Sequence, residues 1–160
     1  MLRPVRFLTA LLLLAPLVAA PAAAQPEDEH AAAKTKARTA AQSWLDRVDA
    51  SEFGASWDAA ATLLQKRIAR ADWVQKAEAL RDTVETISGR TLARAQYRNS
   101  ISRAPGDGPF VLLKYRSTFE AGRFDELLLT VREDETWKVA GYQVTPLRRP
   151  SPPSPAPSNP

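Results

Sequence analysis

From Ala33 to about Ile87 the apolar residues of this chain recur every three or four positions, and beyond Gly89 they recur every second one. The first spacing builds one apolar face on a helix and the second one face of a strand, since side chains repeat about every 3.6 residues in helices and every 2 in strands. Ala33, Ala37, Ala40, Ala41, Trp44, Leu45 and Val48 form one helical stripe, which predicts a helix ending near Asp49, before "DASEFG". A second stripe runs Phe53, Trp57, Ala60, Ala61, Leu64 and Ile68, with Ser56 placed to cap its first turn. A third, Trp73, Ala77, Leu80 and Val84 with Ile87 at its margin, follows Asp72 as cap, and Ser88-Gly89 is expected to close it.

The alternating half contains four strand candidates, residues 90–102, 109–120, 124–134 and 136–147. They are rich in β-branched and aromatic residues and are separated by "RAPGDG", "AGR" and "EDE", links short enough for hairpins. Short links make antiparallel neighbours, so three helices followed by a four-stranded meander give an α+β fold. Parity assigns faces within strands: Val111, Leu113, Tyr115 and Phe119 share one, and Glu126 sides with Phe124 and Leu128 against Leu127, Leu129 and Val131. In "DETWKVAGYQV", residues 134–144, parity divides the two aromatics. Trp137 goes with Val139 toward the helices, and Tyr142 goes outward with Lys138 to meet a partner, unless a bulge intervenes at Gly141.

The flanks fix the domain limits. Residues 1–24 have Arg3 and Arg6, an apolar run from Phe7 to Ala15, and small residues ending Ala22-Ala23-Ala24. This is the order of a secretory signal peptide, with cleavage expected after Ala24 and a periplasmic destination; Pro16, Pro21 and the A-x-A end argue against an uncleaved anchor. Residues 25–32 read as a flexible leader, 33–147 as one domain, and 148–160 as a disordered proline-rich tail whose Pro150 to Pro153 has P-x-x-P spacing. There is no cysteine, so the domain rests on its core alone. Removing Arg3 and Arg6 from 22 basic residues leaves 20 against 18 acidic ones, and no basic cluster with interleaved aromatics suggests nucleic acid. After signal cleavage no membrane association is expected.

The stretches "WLDRVDASEFGASWDAAATLLQ", "WVQKAEALRD", "GDGPFVLLKYRSTFE" and "TWKVAGYQV" resemble an exported bacterial family known as domain of unknown function 4019. The resemblance covers roughly Ala40 to Val144, and its most specific pieces are Ser56-Trp57-Asp58 and Trp137-x-Val139-x-Gly141-Tyr142. It implies a curved sheet packed by helices, a cone of the nuclear transport factor 2-like (cystatin-like) kind, and supplies no reaction. The chain departs from the family pattern at Glu85, where a glycine is expected, and after Thr118-Phe119, where an Asn-Lys pair is expected.

Cones of this kind can host acid–base enzymes, so carboxylates, tyrosines and aromatics are the residues to weigh. His30, the single histidine, falls in the leader and is expected to be solvated. Asp58 follows Trp57 in the first turn of the second helix, where it favours the helix dipole. Glu126 is either exposed or, if its face is the inner one, buried and in need of a partner, for which Arg90 and Arg116 are placed. Tyr115 and Tyr142 are polar candidates, and Trp44, Trp57 and Trp73 are core residues before they are stacking platforms. No zinc-ligand set, phosphate cradle or nucleophile elbow is present, so neither metal nor cofactor is expected. The candidate pocket or interface residues are therefore Trp57, Asp58, Arg90, Tyr115, Glu126 and Tyr142. The functional expectation is a non-catalytic binding or assembly module of the cell envelope, with a small apolar ligand, an envelope protein or a second copy in a homodimer as the partners to consider. Its alternatives are an isomerase or dehydratase using Glu126 or Asp58 as base, and docking through the tail.

Overall fold

A computed structural model describes residues 26–101 and 108–147. The expected signal peptide and the proline-rich tail lie outside the described residues. The elements are α1 (Pro26–Asp49), α2 (Phe53–Asp58), α3 (Thr62–Arg67), α4 (Arg70–Val84), β1 (Ile87–Arg98), β2 (Phe110–Phe119), β3 (Gly122–Glu133) and β4 (Thr136–Pro146). The fold is α+β, with the strands forming one antiparallel sheet in the order β1-β2-β3-β4.

Four helices stand where the spacing predicts three. The stripe from Phe53 to Ile68 breaks at Ala61, which is extended (φ −65°, ψ 148°) and donates its N–H to the Val139 carbonyl at 2.9 Å. Glu133 Oε2 then accepts from Thr62 N at 3.0 Å and Thr62 Oγ1 at 3.2 Å, capping α3 from the sheet. Bonds to β4 and β3 thus replace those a continuous helix would have made. Residues 26–32, expected as a leader, are instead the opening of α1, and His30 is half-buried, its ring stacked 4.1 Å from that of Tyr97. Ser56 is no cap: it is buried inside α2, its hydroxyl donating to Phe53 O at 2.7 Å. Asp72 lies in the first turn of α4 behind an extended Ala69, and Ile87 to Gly89 already belong to β1. What ends α4 is Glu85, at φ 65° and ψ −152°, a region nearly reserved for glycine.

The core lies between the helices and one sheet face. α1 is rich in alanine and other strong helix formers and touches all four strands, burying Ala37, Ala41, Trp44, Leu45 and Val48. Trp44 and Trp73 are buried and Trp57 half-buried, and each indole N–H has a carbonyl: Ser56 O at 2.7 Å, Phe53 O at 3.1 Å and Ile68 O at 2.9 Å respectively. Core packing, as expected, is their role.

The ladder registers fix which residues share a face. On the helix side lie the rows Arg90–Ser117–Phe124–Pro146, Leu92–Tyr115–Glu126–Val144, Ala95–Leu113–Leu128–Tyr142 and Tyr97–Val111–Thr130–Val139. On the opposite side lie Thr91–Arg116–Asp125–Thr145, Arg94–Lys114–Leu127–Gln143 and Gln96–Leu112–Leu129–Gly141. Of three register shifts in the ladders, one at Ser88 precedes these rows and two keep their phase, with Ala93 and Ala140 as the extra residues between the paired positions. The last corrects the expected outward tyrosine: because Ala140 absorbs one position, Trp137 and Tyr142 both face the helices, and Tyr142 meets Trp44 edge-on at 5.3 Å. Ala140 itself packs outward with Ala61, Phe110 and Val131 in a second small core.

Candidate functional site

Glu126 is completely buried on the helix-facing side of β3, so its charge must be matched locally. Its neighbours in the adjacent rows supply the match. Arg90 donates to it from Nε at 2.6 Å and from Nη2 at 3.1 Å, Tyr142 Oη donates at 2.5 Å, and Ser117 Oγ makes a further very short hydrogen bond. Diagonal cross-strand spacing brings Ser117 of β2 and Tyr142 of β4 within reach, the long Arg90 side chain extends over β2 from β1, and the Ala140 bulge is what delivers the tyrosine.

The network continues outward. Arg90 also donates to Asp49, at the end of α1, through Nη1 at 2.7 Å and Nη2 at 3.1 Å, and Asp49 is paired in turn with Arg81 of α4. Charges therefore alternate from Glu126 through Arg90 and Asp49 to Arg81, two of each sign. Side-chain exposure is 0% at Glu126, 8% at Arg90, 20% at Asp49 and 11% at Arg81, so the network opens to solvent at Asp49 and Arg81. Burial works to lower the Arg90 pKa, but its bonds to Asp49 and Glu126 outweigh burial and hold the guanidinium above its ordinary value. Burial first, then the charge and hydrogen bond of Glu126, push the Tyr142 hydroxyl well above its ordinary pKa, so it stays a neutral donor. Tyr115, opposite Glu126 on β2, is buried and its hydroxyl has no partner among the described residues.

Two cavities bear on this arrangement. One of about 490 Å³ lies where the network reaches the surface, lined by Asp49, Arg81, Asp82, Glu85 and Glu120 among others. The other, of about 640 Å³, lies on the sheet face away from α1, floored by Leu112, Leu127, Leu129 and Gly141 and bordered by Gln96, Arg98, Ile101 and Gln143. Glu126 lines neither.

Residues 40–142 match a family described as a protein of unknown function, DUF4019. The chain belongs to this family. A comparison with curated proteins found no match. The matched span of this DUF4019 member includes every residue of the polar network, from Asp49 to Tyr142. Of the six residues singled out in its sequence, Arg90, Glu126 and Tyr142 are brought into direct contact and Tyr115 stands beside them. Trp57 and Asp58 are not: Trp57 bonds Ile68, and Asp58 forms an exposed pair with Arg70 (3.0 Å) from the last residue of α2, not the first turn of a longer helix. Of the two arginines considered for Glu126, Arg90 is the partner; Arg116 is exposed on the opposite face.

Sequence reasoning missed Asp49, Arg81 and Ser117. Ser117 was legible, because parity puts it with Tyr115 and Phe119 on the helix side of β2. Arg81 carried no such signal, since a basic residue in the last turn of a helix is ordinary, whereas Asp49, an acid at the C-terminal end of α1 where the helix dipole disfavours it, was a signal left unused.

Proposed function

We propose that this chain is an exported, non-catalytic binding module of the cell envelope, and that it takes its ligand in the groove on the sheet face away from α1. The observation that carries this reading is the groove itself. Its floor is built of leucines, and its volume of about 640 Å³ falls within the range of about 300–1,000 Å³ usual for small-ligand sites. On a strand whose other face is already buried in the core, alternation places polar residues outward. Leu112, Leu127 and Leu129 break that expectation together, in adjoining rows, and all three are half-exposed.

The buried carboxylate lends no support to the acid–base alternative. Glu126 accepts four hydrogen bonds and is neutralised by Arg90, so a substrate proton would meet a base that is already spent. We read the architecture as the nuclear transport factor 2-like cone. Support comes from one long helix laid across the sheet and from bulges at Ala93 and Ala140, since bulges bend and twist the strands that carry them. Export rests on the pattern of residues 1–24 and predicts a mature protein beginning at Gln25 when recovered from the periplasm.

A neutral solvatochromic dye such as Nile red tests the binding reading without invoking charge. The wild-type protein should enhance its emission, and Leu127→Asp, a change at a half-exposed site, should abolish the enhancement while leaving the far-ultraviolet circular dichroism intact. No enhancement by the wild type, or an unchanged one in Leu127→Asp, removes the groove as a binding site.

A further inference from the structure

Resting on the reading of the groove as a binding site, the geometry points to a specific ligand class: an anionic amphiphile with a single alkyl chain. The chain would lie on Leu112, Leu127 and Leu129, and the anionic head would be held by Arg94 and Arg98. These two arginines flank Gln96 on the outward face of β1: Gln96 and Arg98 line the groove, and Arg94 stands in the row of the groove residues Leu127 and Gln143. With the amide oriented to suit its neighbours, Gln96 Oε1 accepts from Arg94 Nε at 3.2 Å, Arg94 Nη2 at 2.7 Å and Arg98 Nη2 at 3.1 Å. Two guanidinium groups thus converge on one neutral oxygen at the wall of an apolar groove, Arg98 from the wall itself and Arg94 from beside it. A guanidinium fork matches carboxylate or phosphate in geometry and charge, and an amide oxygen supplies only the first.

The rest of the face sharpens the choice. Arg116 also points outward, and neither it nor Arg94 nor Arg98 is in an ion pair among the described residues. The acids of this face are already engaged, Asp125 by Lys114 at 2.7 Å and Glu133 by Thr62 and by Lys138 at 3.7 Å. A second copy docked face to face would bring arginines against arginines, which disfavours a homodimer through this surface. A neutral apolar ligand would leave the convergent pair unused. The anionic amphiphile uses both the floor and the wall, and its head is a carboxylate in a free fatty acid or a phosphate in a lysolipid.

The test is isothermal titration calorimetry with dodecanoate, lauroyl lysophosphatidate and dodecanol, each below its aggregation threshold, on the wild type, Arg94→Gln/Arg98→Gln and Leu127→Asp/Leu129→Asp. The wild type should bind at least one anionic probe at least tenfold more tightly than the alcohol, and the stronger of the two anionic probes identifies the source of the head. The arginine variant, changed only at exposed positions, should lose that tenfold and bind all three alike; the leucine variant should bind none. Equal binding of the acid and the alcohol by the wild type overturns the anionic ligand while leaving an apolar groove in place. Absence of binding by all three probes overturns the groove as well. A wild-type dimer that Arg94→Gln/Arg98→Gln leaves intact and Leu127→Asp/Leu129→Asp dissociates makes a second copy the occupant, and tighter probe binding after deletion of residues 148–160 makes the chain's own tail the occupant; either result overturns the proposal.

Discussion

The two members of the buried Arg90–Glu126 pair should be strongly coupled, so that removing both costs less than the sum of removing each alone. In Glu126→Leu the four hydrogen bonds to the carboxylate disappear, and one positive charge of the Arg81–Asp49–Arg90 group loses its complement at a site only 8% exposed. Breaking a buried pair in this way costs about 3–5 kcal/mol, a large share of the roughly 5–15 kcal/mol that holds a domain together. Arg90→Met leaves Glu126 buried without its cation and should cost as much. In the double variant Arg90→Met/Glu126→Leu, Asp49 still has Arg81, and what is left uncompensated is the Ser117 and Tyr142 hydroxyls, at about 1–3 kcal/mol each. The singles sum to about 6–10 kcal/mol and the double should fall short of that sum by about 2–3 kcal/mol. Urea unfolding at neutral pH, followed by tryptophan emission, measures all three. Additivity within about 0.5 kcal/mol would refute the claim that these charges form one structural unit.

Three further outcomes follow from particular residues. Glu85→Gly should stabilise the protein by about 1 kcal/mol, because it relieves a side chain from the glycine region at φ 65° and ψ −152°; a lower urea midpoint would contradict this. Stability should fall as pH rises above about 10, since Tyr142 keeps its proton in the folded protein beyond the point at which the unfolded chain releases it. Tyr142→Phe should make that alkaline fall shallower, and an identical slope between pH 9 and 11 would show that the tyrosine does not contribute. Ser56→Ala should cost about 1–2 kcal/mol, because the Trp73 indole (2.9 Å) loses one of its two acceptors in the core, and a change within about 0.3 kcal/mol would contradict that role.

Periodicity carried most of the fold. The switch from helical to alternating spacing near Gly89 locates the boundary between the two halves within a few residues, and the short links order the sheet as observed. What periodicity could not reveal were choices made by partners distant in sequence. Ala60 and Ala61 continue a helical stripe on paper, yet the Val139 carbonyl and the Glu133 carboxylate take over the backbone at Ala61 and Thr62 and divide one helix into two. The site was legible to the same depth. Parity put Glu126 with Phe124 and Leu128, and once that face is known to be the inner one, a buried carboxylate and an arginine partner follow. Tyr142 escaped because one extra residue reverses every later side chain, and the bulge at Ala140 has no glycine or proline at its own position to announce it. The groove was assembled from leucines on the face opposite Glu126, without any means of seeing that α1 packs on the other face.

The proposed ligand groove lies on the sheet face away from α1 and is not lined by Glu126, and one measurement tests whether binding belongs there. Native mass spectrometry of the protein released from the periplasm by osmotic shock should detect a retained ligand on the wild type. Ser117→Ala, which disturbs the bonding of Glu126, should retain the ligand, and Leu127→Asp/Leu129→Asp should arrive without it. Loss of the ligand from Ser117→Ala together with its retention by the leucine variant would place binding at the buried carboxylate and contradict the account.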